Sequence, residues 1–195
     1  GDAALLAQLL ALGAPVDEPS TDSVGMRPLH WACTENRIGC MRLLVEHGAD
    51  VNSRDLQGCT PLIIASQWGQ ADAAAYLVKI GASVRILDKN EDSSLHWASY
   101  KGNVEIVGLL HHLGLPVDDK DVYGQTPLHL AALCGNLAVV EYVTIDAKAP
   151  TAKDVKGKTP LDLARDKKRV QVVRFLEGRW LYWFMQEGTR WPWIV

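Results

Sequence analysis

Three histidines, His30, His96 and His129, and four cysteines, Cys33, Cys40, Cys59 and Cys134, are the side chains best suited to metal ligation or nucleophilic chemistry. Their spacing argues against both roles. Structural zinc sites draw on close pairs such as Cys-x-x-Cys, and the chain contains none. The four cysteines sit inside apolar helical patterns, where reduced thiols act as small buried hydrophobes. The histidines recur at multiples of 33 residues, which predicts one structural hydrogen bond per unit of a repeat. His111-His112 has no Cys or carboxylate ligand set nearby and reads as a solvated pair. No nucleophile–base pair or phosphate loop occurs, so the expectation is no catalytic residue, no metal and no cofactor.

The elements that place these histidines are internal repeats. Arg27-Pro28-Leu29-His30, Thr60-Pro61-Leu62-Ile63, Ser93-Ser94-Leu95-His96, Thr126-Pro127-Leu128-His129 and Thr159-Pro160-Leu161-Asp162 start 33 residues apart throughout. An Asp precedes each block by five residues, at Asp22, Asp55, Asp88, Asp121 and Asp154. Gly25, Gly58, Gly124 and Gly157 keep the same register, and Glu91 is the one departure. Composition agrees with a folded domain, at 48% hydrophobic and 22% charged residues. A formal charge of −3 has the wrong sign for a chain whose main partner is nucleic acid.

Local physics predicts a helix–turn–helix from each unit. Thr60, Thr126 and Thr159 suit the N-cap position, and the proline that follows each has no N–H to leave unsatisfied. Ala32, Ala65, Ala98, Ala131 and Ala164 are small enough for first helices to stack closely. Second helices carry apolar stripes, such as Val104, Val107, Leu110 and Leu137, Val140, Val143. Gly48, Gly81 and Gly114 fall where those helices should end in a left-handed residue. One unit cannot bury its stripe alone, so the units must stack into a curved all-α solenoid.

The unit Asp-Val-Tyr-Gly-Gln-Thr-Pro-Leu-His-Leu-Ala-Ala-Leu-Cys-Gly at 121–135, with Gly48-Ala49-Asp50-Val51-Asn52 and Gly81-Ala82-Ser83-Val84 closing earlier units, resembles the ankyrin repeat over residues 1–178. That resemblance implies a protein–protein interaction module that binds a protein or peptide on its concave face of hairpin tips and first helices. In this chain the tips include Leu56, Lys89, Val122 and Tyr123, and the helix faces include Gln67, Trp68, Tyr100, Lys101, Leu133 and Cys134. Leu44, five intervening residues and then Asp50-Val51-Asn52 are similar to the motif whose asparagine ankyrin-directed hydroxylases modify, which falls on Asn52. The corresponding residues of other units are Asp17, Arg85, Asp118 and Thr151, so Asn52 is the one asparagine at that position. Leu29-His30-Trp31-Ala32, Leu95-His96-Trp97-Ala98, Asn36-Arg37-Ile38 and Leu161-Asp162-Leu163-Ala164-Arg165 are further similar to the cytosolic ankyrin domain of DHHC-type protein S-acyltransferases. The Asn–Trp pair that reads substrate peptides there falls on Glu35 and Ile64 here, and the Asp-His-His-Cys motif does not occur.

The two ends differ. Residues 1–18 read as half a unit, because Gly1 and Gly13 have the spacing of Gly69 and Gly81, and the sequence is expected to belong to a longer chain. Residues 179–195 turn aromatic, with Trp180, Trp183 and Phe184 on one expected helical face and Trp191 and Trp193 beyond. Three roles suit such a segment: a cap over the last repeat, a membrane-interface anchor, or a contact with another subunit. The domain is expected in the cytoplasm or at the cytosolic face of a membrane.

Overall fold

The computed structural model describes residues 2–186, with side chains described over 3–178. Within these residues the chain forms eleven helices and no strand. A lone helix α1 (Asp2–Ala11) precedes five helix pairs. The inner helices are α2 (Pro28–Thr34), α4 (Pro61–Trp68), α6 (Ser94–Lys101), α8 (Pro127–Cys134) and α10 (Pro160–Asp166). Their outer partners are α3 (Ile38–Glu46), α5 (Ala71–Lys79), α7 (Val104–His112), α9 (Leu137–Ile145) and α11 (Val170–Gln186). Inner helices stack on inner helices and outer on outer, with α1 joining the outer row against α3. The inner helices start at Pro28, Pro61, Ser94, Pro127 and Pro160, one period apart throughout.

The local signals act at most of the expected positions, with Thr126 the departure: its hydroxyl pairs with His129 Nδ1 and makes no side-chain cap hydrogen bond. The Thr60 and Thr159 hydroxyls accept the backbone N–H of Ile63 and Asp162 at their helix starts. Ala65, Ala98, Ala131 and Ala164 are fully buried, so the inner row packs backbone close to backbone. Val107, Leu110, Val140 and Val143 fill the space between inner and outer rows, and Val104 and Leu137 flank them half-buried. Burying a side chain of this kind stabilises by roughly 1.5–3 kcal/mol. Because every unit touches only its neighbours, that stabilisation comes mainly from the seams between units.

Polar side chains also cross the seams. Asn103 Nδ2 donates to Gly69 O at 2.9 Å, and Asn136 Nδ2 donates to Ser99 O and Tyr100 O at 2.9 and 2.8 Å. Gln70 reaches Thr34 O and Arg169 reaches Leu133 O in the same way. Each satisfies a carbonyl left without a partner at the end of the preceding inner helix. α11 runs without a break through the expected boundary at 178/179.

Candidate protein-binding surface

The hairpin tips rest on one repeated turn. Asp55, Asp88, Asp121 and Asp154 each accept two backbone N–H groups through Oδ1, from the residues two and four positions on. The tips then join edge to edge: Leu56 N–H donates to Val24 O, Lys89 to Gln57 O, Val122 to Asn90 O and Val155 to Tyr123 O, all within 2.9–3.0 Å. This ladder holds Leu56, Lys89, Val122 and Tyr123 exposed along one edge.

The inner helices add Trp68 and Tyr100 to the tip residue Tyr123. Trp68 is 54% exposed, Tyr100 47% and Tyr123 56%, although most neighbouring inner-helix residues are buried. Tyr100 is braced by Trp97, whose ring meets it edge-on at 5.8 Å. Trp97 in turn donates its indole N–H to Asp88 Oδ2 at 2.9 Å, so the turn of that unit fixes the aromatic pair. Lys101 lies against the end of α4 beside Trp68: a Cβ on Gly69 would stand 3.1 Å from Lys101 Cγ. Leu133 departs from the others. It is only half-buried-to-solvent, and its carbonyl accepts Arg169. Among the exposed apolar residues outside the expected set are Trp31 at 50% and Val155 at 69%. Trp31 shares its repeat position with Trp97 and was legible as a variant; only the stack shows it uncovered.

The histidines are structural. Nδ1 of His30, His96 and His129 accepts the backbone N–H of Arg27, Ser93 and Thr126, so the proton sits on Nε2. Nε2 of His30 and His129 then donates across the seam to Cys59 O and Lys158 O, and that of His96 to Asp119 O at the end of its own unit, at 3.0–3.2 Å. Burial pushes all three below the usual histidine pKa, which keeps them neutral. In the last unit Asp162 replaces the histidine and accepts Thr159 N–H and Oγ1–H. Burial raises the thiol pKa of Cys33 and Cys134, and pushes Cys59 up to about 12, so none of these is primed as a nucleophile. All four cysteines are free thiols. His111 is not merely solvated: its Nδ1 pairs with the Tyr142 hydroxyl at 3.0 Å, while His112 is exposed.

One carboxyl stands apart. Asp92 is 92% buried by its 8% exposure, Oδ1 has no hydrogen-bond partner, and Asp88 and Asp121 lie close enough to repel it. Burial first, then these neighbours, push its pKa up to about 7. Asn52 is half-buried and accepts Ser83 N–H at 2.8 Å through Oδ1, which ties its unit to the next. On the opposite, outer-helix side, a shallow groove of about 250 Å³ lies between α5 and α7, lined by Asp72 and Glu105 among Ala71, Ala75, Ile106 and Leu109.

Trp180, Trp183 and Phe184 lie on the backbone of α11 beyond the described side chains, and Trp191 and Trp193 lie outside the described residues. Among the described residues no group of three His, Cys, Asp or Glu is placed to hold a metal ion. No helix among them is long and apolar enough to cross a membrane.

Paired helices stacked in register, with hairpin tips joined along one edge, define a helical-repeat solenoid, an architecture of binding proteins. The family model described as ankyrin repeats (3 copies) matches residues 1–88 and again 95–178, and the chain belongs to the ankyrin-repeat family. Such repeats are in general protein–protein interaction modules without catalysis of their own. No curated protein matches the chain.

Proposed function

We propose that this domain binds a protein or peptide segment across its concave face, with Trp68, Tyr100 and Tyr123 as anchors and Leu56, Val122 and Leu133 as apolar surround. The supporting observation is the exposure of three large aromatics on successive units whose backbones are otherwise tightly packed. Aromatic side chains on a rigid frame lose little conformational freedom on binding and dominate interface energies. Lys89 and Lys101 are exposed beside them and favour an acidic or carboxylate-bearing partner. Trp68→Ala and Tyr100→Ala should each weaken binding of the native partner by about 2 kcal/mol or more. Their stability should change by only about 0.5 kcal/mol, because the truncated groups are half exposed. Calorimetry and thermal melts of the two variants measure both quantities, and unchanged affinity in both would remove the concave face as the site.

A second reading, the substrate-recruiting domain of a membrane DHHC-type S-acyltransferase, is supported by the Leu-His-Trp-Ala blocks and the aromatic run from Trp180. It places the domain at the cytosolic face of a membrane, a location the free thiols suit. Ile64, where that family's substrate-reading Trp would fall, is buried, so peptide reading would use other residues. An Asp-His-His-Cys segment in the parent sequence is the deciding observation. Asn52 is proposed separately as a hydroxylation substrate. Incubation with an ankyrin-directed hydroxylase should add one oxygen to its peptide, and an unmodified peptide ends the idea.

A further inference from the structure

The charge of the chain is unevenly divided. Residues 1–145 hold nine Lys and Arg against seventeen Asp and Glu, a formal charge of −8, while 146–178 hold nine against five, or +4. The carboxylates of the last unit are engaged within it. Asp154 accepts Lys156 and Lys158 N–H, Asp162 accepts Thr159, Asp166 pairs with Lys158, and Glu177 pairs with Arg165 at 2.7 Å. Lys153, Lys156, Lys167, Lys168 and Arg174 are all exposed, and among the described residues their side chains have no ion pair. Two exposed apolar residues sit among them: Val155 between Lys153 and Lys156 at the hairpin tip, and Val170 beside Lys167 and Lys168 at the start of α11. α11 then leads into the aromatic run beginning at Trp180.

We propose that this basic last unit docks on an anionic lipid surface, with Lys153, Lys156, Lys167, Lys168 and Arg174 meeting the headgroup phosphates and carboxylates. Uncompensated cations are drawn to the negative surface potential of such a membrane, and screening by salt weakens the attraction. Exposed apolar residues interleaved with the lysines, and a sequence that turns Trp-rich from Trp180 onward, fit the interfacial zone of a bilayer better than a purely polar acidic protein. The acidic body at 1–145 would be repelled by the same surface, so the contact is confined to the last unit. The inference does not rest on the proposed peptide site, which lies on other units.

The test is flotation of the full chain with vesicles of neutral phosphatidylcholine and with vesicles containing about 30 mol% phosphatidylserine. Binding is expected to the second kind only, and to be lost as salt rises from about 0.1 to 0.5 M. The five-fold charge variant K153E/K156E/K167E/K168E/R174E should bind at least tenfold more weakly, with its helical circular dichroism retained. Should that variant unfold, the milder pair K153S/K156S gives the same readout in smaller measure. Trp68→Ala and Tyr100→Ala should leave vesicle binding unchanged. Equal binding to neutral vesicles, no binding to either kind, undiminished binding by the charge variants, or capture by soluble polyglutamate without vesicle binding each overturns the proposal.

Discussion

At 88–92 and 121–125 the chain builds one turn from two different sets of side chains. In both, the leading Asp accepts the N–H groups two and four residues on, and the tip donates to or accepts from its neighbours. The fourth residue is Gly124 in one and Glu91 in the other, and both hold a left-handed backbone, with φ of 71° and 62°. Glycine adopts that conformation freely, whereas Glu91 carries a Cβ there. The fifth residue is Gln125 or Asp92. Burial raises Asp154, but N–H donors, His129 and the Gln125 side chain together outweigh it and hold its carboxyl below the ordinary value. Asp92 instead opposes the carboxylates of Asp88 and Asp121. The fold thus tolerates a misfit at the seam between the third and fourth units that the next seam lacks.

The largest effect should come from removing that misfit. The folded pKa of Asp92, about 7, lies above its ordinary 3.8, so the folded state holds the proton longer than the unfolded one. Its contribution is favourable below pH 4, is lost as pH rises from about 4 to 7, and stays lost above. Asp92→Asn should therefore stabilise by roughly 2–4 kcal/mol at pH 8 and by little at pH 4, read from urea denaturation. An equal gain at both pH values would show that charge is not the cause. The buried histidines act in the opposite sense, since their lowered pKa values cost stability as pH falls below about 6.5, and the difference between variant and parent cancels them.

Gln125→Asp should carry the misfit to the fourth seam, costing about 2 kcal/mol at pH 8, with recovery on acidification. A loss independent of pH would mean that only the amide hydrogen bond mattered. Smaller still are the backbone substitutions. A Cβ at Gly124 would stand 3.0 Å from Val155 N, so Gly124→Ala should cost about 1–2 kcal/mol. Glu91→Gly should gain about 1 kcal/mol, with the same urea titrations as the measure. If Glu91→Gly destabilises, the side chain has a compensating role at the tip.

The 33-residue period, the N-caps at Thr60 and Thr159 and the closing glycines were legible because each depends on a few adjacent residues. Asn103, Asn136, Gln70 and Arg169 were not, because their carbonyl partners lie 34–37 residues away and exist only once units stack. His111 escaped for the same reason, its partner Tyr142 being one unit on. For the surface, residue type pointed to Trp68, Tyr100 and Tyr123. Exposure of Trp31 and the partial covering of Leu133 depend on neighbouring inner helices that no local pattern reports.

The ladder of tip hydrogen bonds gives the domain a mechanical character. Four bonds, from Leu56, Lys89, Val122 and Val155, join the tips of successive units beside the helix packing and side-chain bonds of each seam. A pull on the two ends is carried by every seam in series, so extension starts at the softest link and leaves the others folded. We expect that link at the third seam, where Asp92 opposes Asp121. Stretched in an optical trap at pH 8, the chain should yield there at the lowest force, and Asp92→Asn should raise that force. The solenoid would then act as a spring whose slack is set by one carboxyl group.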